Sequence, residues 1–435
     1  MRYMMMTGQP MPQAMLRAAF EQMCLPTRLG GFGFRHMAVA MLAAWPAAWA
    51  ACLELGDVLL KHHGIVPGMA LQPIVEALPF LRGRMAAHPA LSRLGAPGLE
   101  LILGPDGGTQ ETRQAHLDGA VFEWLHKAFS NPVEGAWSDL YGRQQAARLA
   151  ALAAADGLSG SGWLITPPHN ERTTLSPGVF YMGAAWRLGL PPGLAPAGRL
   201  PSAGRCNGTA NCRAPLDLAL FHLFTCHNAA RSILHDGIVQ MLGEALLEYG
   251  RLLQVDFERV GTVGPTGASP GARPGDVTVI AALLSFLTER FHGRQPTALL
   301  ADLKVIAPIC PTYVNAGSDR NPKGALQTGH DSKQRDFAAK LGPAGRAAVA
   351  LPQDWVFHPW VCSIYGGMHD QFAADIAGLA ETMAASAINR SATAGSDTAD
   401  TSAAKIQNEL RTRFSFTLQR LLFDFFARRM HECRQ

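Results

Sequence analysis

Near residue 250 the spacing of apolar residues changes. Up to Tyr249 they recur every three to four positions, the period of a helix packed on one side, and beyond it they alternate, the period of a strand. Leu252 to Glu258, Asp276 to Ala281, Leu299 to Ile306 and Trp355 to Ile364 each read as strands, with a helix over Asp331 to Leu341 between the last two. A long amphipathic helix, about Asn228 to Tyr249, precedes them. The order helix, strand, strand, strand, helix, strand predicts an α/β layered unit of about 140 residues.

Upstream the chain reads as helical. Residues 10 to 60 are helix, then CLPTRLGGFGFRHM, then helix, with Gly30, Gly31 and Gly33 permitting a sharp turn. Gln114 to Ala128 and Ser138 to Ala155 are the clearest periodic stretches between 75 and 185. PPGLAPAGRLPSAG, Pro191 to Gly204, cannot sustain regular structure and marks a boundary. Asn389 to Ala404 is rich in Ser, Thr and Ala and reads as a linker, and Lys405 to Arg429 as a closing arginine-rich amphipathic helix. At 435 residues the chain has room for two or three cores and needs no disulfide staples.

Net charge is +4, too modest to argue for nucleic acid by itself. Only seven of the 38 basic residues are lysines, however, and four of those, 304, 323, 333 and 340, cluster in the strand region. Eight scattered cysteines without a secretory leader predict a reduced, intracellular setting. The longest apolar run, Met37 to Leu53, is 17 residues and interrupted by Pro46, which predicts a buried helical hairpin and no membrane span.

Cys206, Cys212, His222 and Cys226 lie within 21 residues, spaced C-x5-C-x9-H-x3-C. Zn²⁺ takes four soft or borderline ligands in a tetrahedron, and this set supplies them as a structural site. CNGTANC is a Gly/Asn loop flexible enough to fold back on a metal, and His227 and His235 stand near enough to substitute for His222. The competing expectation is that buried cysteines and a helical histidine fall together by chance.

LLADLKVIAP, Leu299 to Pro308, places Asp302 and Lys304 on one face of a strand and Leu303 and Val305 on the other. ARPGDVTVIA places Asp276 at the start of another, so two carboxylates and an ammonium converge at one end of a sheet. That combination suits phosphodiester hydrolysis. Acidic oxygens hold Mg²⁺, and the lysine orients the attacking water or offsets charge developing on phosphorus. Glu244 and Glu248, four apart on the preceding helix, offer a further acid. An ordinary surface ion pair on an exposed strand is the alternative.

RPGDVTV followed by ADLKVIAP resembles the PD…(D/E)xK signature of restriction-like endonucleases. The Cys/His knuckle and LPTRLGGFGFR resemble the region downstream of the polymerase palm in site-specific non-LTR retrotransposons of the R2-like group, the glycine-rich segment matching the thumb. LHD at 234 to 236 is similar to that family's Arg-His-Asp/Asn triplet, VFHPWVCSIYGG to its late strand with a glycine turn, and RTRFSFTLQRLLFDFFARRM to its closing helix. Glycine separates Pro274 from Asp276, Leu234 replaces the family's arginine, Phe337 its tyrosine, and the first cysteine pair is widened. No polymerase palm or paired-aspartate motif is present, so the chain reads as the C-terminal portion of such an element.

The resemblance implies an α+β fold: a helical N-terminal half (1–190, thumb and linker), a zinc knuckle (201–235), a restriction-endonuclease-like α/β domain with a central mixed sheet (236–380), a linker (381–404) and a C-terminal helix (405–435). It implies Asp276 and Asp302 as Mg²⁺ ligands, Lys304 as the catalytic lysine, and Lys333 as the lysine of a helical Lys-x3-Tyr element, while Glu244 of the long helix is the further acid expected to join the Mg²⁺ ligands. The implied activity is Mg²⁺-dependent DNA nicking in the nucleus. DNA is the implied partner, with the element's RNA as a second candidate. Two further expectations stand beside it: a nucleic-acid-binding remnant whose sheet no longer cuts, and a helical adaptor unrelated to nucleic acid.

Overall fold

The computed structural model describes residues 13–34, 79–93, 109–130, 139–155, 157–191, 220–226, 231–249, 254–257, 276–280, 298–341, 355–394 and 402–432, with Ala40, Ala44, Cys206, Cys212 and Ala214. Among them helices predominate, in an α+β arrangement with one small sheet. The chain forms two compact units, 11–146 and the remainder from Ala147 onward. The expected hairpin at Met37 to Leu53 and the Pro/Gly stretch after 191 lie outside the described residues, save for Ala40 and Ala44.

In the first unit, α1 (Gln13–Cys24) ends in the turn expected of the glycine-rich segment. Gly30 (φ 83°) and Gly33 (φ 76°) take the left-handed region that side chains disfavour. Gln22 Nε2 closes the loop by donating to the Gly30 carbonyl (2.9 Å). α2 (Gln110–Ser130), where the sequence is periodic over Gln114 to Ala128, buries Leu117, Val121, Leu125 and Phe129 at four-residue spacing.

α3 (Asp139–Ala154) crosses the unit boundary, and α4 (Gly157–Ile165) and α5 (Pro177–Arg187) belong to the second unit. The expected division at residue 190 therefore moves to 146. The reason is packing: α4 and α5 lie against α11 (Ala403–Glu432) and bury Trp163, Val179 and Trp186. Ile406, Leu410, Phe414, Leu418, Leu422, Phe425 and Phe426 form one apolar stripe along α11, which also meets α7 (Arg231–Tyr249) and α10 (Asp370–Ala394). The linker expected over 381–404 is corrected too. α10 continues to Ala394, because ETMAASAINRSATA is alanine-rich enough to hold a helix and buries Met383 and Ala384.

The sheet runs β1 (Gln254–Phe257), β2 (Val277–Ile280), β3 (Ala298–Ile306), β4 (Trp355–Ser363), in that spatial order. The first two pairings are antiparallel, and β3 and β4 are parallel from Ala298↔Trp355 to Ile306↔Ser363. On one face of the β3–β4 pair, Leu300 and Ile306 with Phe357 and Val361 pack under α9 (Pro322–Leu341), where Phe337 stacks on Phe357 at 3.7 Å. After the short α8 (Pro311–Asn315), α9 begins nine residues before the expected start, with Pro322 in its first turn and the Asn321 side chain accepting from Gly324 N (3.1 Å).

On the other face, the buried Asp375 of α10 accepts from His358 Nδ1 (2.9 Å), Trp360 Nε1 (2.9 Å) and Gln371 Nε2 (2.8 Å). Asp375→Ala strands these donors. It is expected to destabilise the unit by about 3–5 kcal/mol in urea unfolding, because one half of a buried charged network is removed.

Candidate functional site

The Cys/His segment assembles as its spacing suggested. The ligand atoms of Cys206, Cys212, His222 and Cys226 all lie within 4.8 Å of one another. Cys206 Sγ is 3.7 Å from Cys226 Sγ, and Cys212 Sγ is 3.3 Å from His222 Nε2. A tetrahedron with the usual Zn–S and Zn–N bonds has edges of about 3.5–3.8 Å, so this group fits zinc. α6 (His222–Thr225) carries His222 on its first residue and hands the chain to Cys226, while the Cys206 N–H holds the Ala214 carbonyl (2.9 Å) across the preceding loop. Burial, with the Cys206 and Cys212 thiols alongside, pushes the Cys226 thiol up to about 12. Raised this far, the Cys226 sulfur keeps its proton unless a metal displaces it. Among the described residues this is the one group of three or more Cys, His, Asp or Glu placed to hold a metal.

The second centre lies where β2 begins and β3 runs on past it. β2 pairs with β3 only as far as Ala301, and the Asp276 N–H caps that pairing on the Ala301 carbonyl (2.9 Å). Asp276 Oδ2 then accepts from Leu303 N (2.7 Å), so its carboxyl stands beside Asp302, within hydrogen-bond reach. Asp302 Oδ1 accepts from Lys333 Nζ of α9 (2.5 Å). Lys304 shares the α9 face of β3 with Asp302, and its Nζ donates to Ser332 Oγ (3.1 Å). Asp276, Asp302, Lys304 and Lys333 are thus brought together, and a cleft of about 480 Å³ opens beside Lys304, Val305 and Tyr313.

The electrostatics are uneven. Burial raises the Asp302 carboxyl, Lys333 opposes this and Asp276 adds to it, leaving it above the usual range. Burial also acts on Asp276, but the hydrogen bond and charge of His235 outweigh it and hold that carboxyl low. Burial, reinforced by Lys333, lowers the Lys304 ammonium.

Two sequence expectations are redistributed. Glu244 does not reach the acidic pair: it is exposed, accepts from Gln240 Nε2 (2.8 Å), and lines a groove with Arg172, Arg413 and Arg420. His235, considered as a substitute zinc ligand, instead donates from Nε2 to Asp276 Oδ2 (2.9 Å) and from Nδ1 to Asp236 Oδ1 (2.9 Å). The two positions are nine residues apart on α7, about two and a half turns, and so face opposite ways. The sequence signal for a place of His235 beside the acidic pair was the LHD triplet.

Chiefly through its bond to Asp276, the His235 imidazole is raised from 6.5 to about 9. A group raised on folding stabilises fully below its unfolded value, and that stability is lost as pH rises through its folded value. The stability gap between the wild type and His235→Leu is therefore expected to be constant below about pH 6.5 and to shrink toward pH 9. Chemical denaturation across that range measures it.

Among the described residues no helix is long and apolar enough to cross a membrane. Comparison with known proteins finds no family model and no curated protein that matches this chain.

Proposed function

We propose that residues 236–380 form a restriction-like, Mg²⁺-dependent DNA endonuclease domain that nicks target DNA, in a chain related to the C-terminal part of R2-like retrotransposon proteins. One observation carries the reading: two partly buried carboxyls, Asp276 at the start of β2 and Asp302 on β3, meet within reach of Lys304 and Lys333. Carboxylates in contact repel unless a proton or cation lies between them. Mg²⁺ is commonly held by one or two carboxylates, with waters and substrate phosphate completing its shell, so the residues present fit it.

When bound, Mg²⁺ would neutralise charge on the phosphate and acidify the attacking water. This chain's own groups do the rest. Asp276 is fixed through Oδ2 by Leu303 N and His235, and its carboxyl together with that of Asp302 would hold the cation. Lys304, on the rigid strand beside the cleft, orients the water or offsets charge on the phosphoryl oxygens as the bond to the leaving oxygen breaks. Lys333 anchors Asp302 and adds a second positive charge on the phosphate side. The zinc centre and the arginine-rich α11 would contribute DNA contacts, with element RNA as a further ligand and the nucleus as the place of action.

One observation favours a second reading, a binding remnant. Each carboxylate already has a cationic partner, His235 for Asp276 and Lys333 for Asp302, so the site is charge-compensated as it stands. The test is conversion of supercoiled plasmid to nicked circle with and without Mg²⁺. Metal-dependent nicking supports the endonuclease. Salt-sensitive DNA binding with no cleavage in any divalent metal selects the remnant.

A further inference from the structure

We propose that Arg429 is a positioning residue of the Cys3His centre, so that the metal and the last turns of α11 dock as one unit; this rests on reading that centre as a zinc site. Arg429 lies 223 positions from Cys206 in sequence, yet its Nη2 donates to Cys206 Sγ at 3.4 Å. Both residues are fully buried. A guanidinium keeps its charge at any ordinary pH, and burying it is costly unless a negative group faces it.

The assembled centre supplies that group, because three thiolates and one Zn²⁺ leave one net negative charge. Arg429 offsets this charge where no solvent reaches. Its hydrogen bond also fixes the lone-pair direction of Cys206 sulfur, the role outer partners play around metal ligands.

A second contact ties the same two elements. Phe224 sits between the ligands His222 and Cys226, and its ring stacks on Phe425 (centroids 4.6 Å) and meets Phe426 edge-on (5.4 Å). α11 therefore touches the centre once through a charge and once through an aromatic cluster, one turn apart. The same helix packs on α4, α5, α7 and α10, so what is secured at Cys206 is an end of the helix that organises the unit.

The test uses the full chain and zinc itself. Competition with a chromophoric chelator compares the wild type with Arg429→Met and Arg429→Lys. Arg429→Met is expected to weaken zinc affinity about 10- to 100-fold, with Arg429→Lys recovering part of the loss. Hydrogen exchange on the wild type supplies a readout independent of any variant's folding: chelating the zinc should speed exchange over Leu422 to Met430 more than over the first turns of α11.

Equal zinc affinity in Arg429→Met overturns the proposal, as does unchanged exchange at the end of α11 after chelation. A wild-type chain that takes up no zinc overturns the metal centre itself. That failure is distinguishable because it shows in stoichiometry before any variant is made. Plasmid nicking tests the sheet site separately from both.

Discussion

Asp302→Asn and Lys304→Ala are each expected to cut Mg²⁺-dependent nicking by about a hundredfold or more, the scale on which removal of a single preorganised charge acts. Asp302 is the joint of the site. It faces Asp276 across the open end of β2, takes Lys333 from α9, and shares a strand face with Lys304. The asparagine variant keeps shape and hydrogen bonding, so its loss reports charge. Asp302→Ala would in addition leave Lys333 half-buried without its carboxylate. Circular dichroism and urea unfolding of each variant separate chemistry from folding, and wild-type nicking rates retained in both variants would sink the endonuclease.

The second large effect concerns the Cys/His centre, if it holds zinc as proposed. Cys226→Ser, or exhaustive chelation, is expected to abolish the cooperative thermal transition of the second unit, because structural zinc contributes roughly 10–16 kcal/mol in small finger peptides. That matches or exceeds the whole stability of an ordinary domain, about 5–15 kcal/mol. The centre also anchors more than its own loop: Phe224 joins Trp186, Phe425 and Phe426 in one aromatic cluster. Differential scanning calorimetry with and without chelator measures the loss. An unchanged transition would mean that the cysteines pack without needing metal.

Much of the sheet was legible because strand periodicity is a local property. Leu299 to Ile306 and Trp355 to Ile364 read as strands from alternation and apolar content, and they appear within a residue of those bounds. Asp302 and Lys304 on one face followed from the two-residue repeat alone. Boundaries set by packing were less legible. Nothing local in α4 or α5 says that Trp163 and Trp186 will bury against a helix more than two hundred residues away. The alanine-rich end of α10 looked like linker because Ser and Thr outweighed its helix propensity in the reading.

Residue types and spacing by themselves determined the chemistry on offer: three cysteines and a histidine in zinc-like order, and an aspartate and a lysine two apart on a strand. Tertiary structure decided which charges meet. The phase of α7 turns His235 toward Asp276 and Glu244 away from it, and the course of α11 brings Arg429 to Cys206. The reason is physical. Periodicity tells which residues share a face, but which face meets which is settled only when every apolar stripe is buried at once.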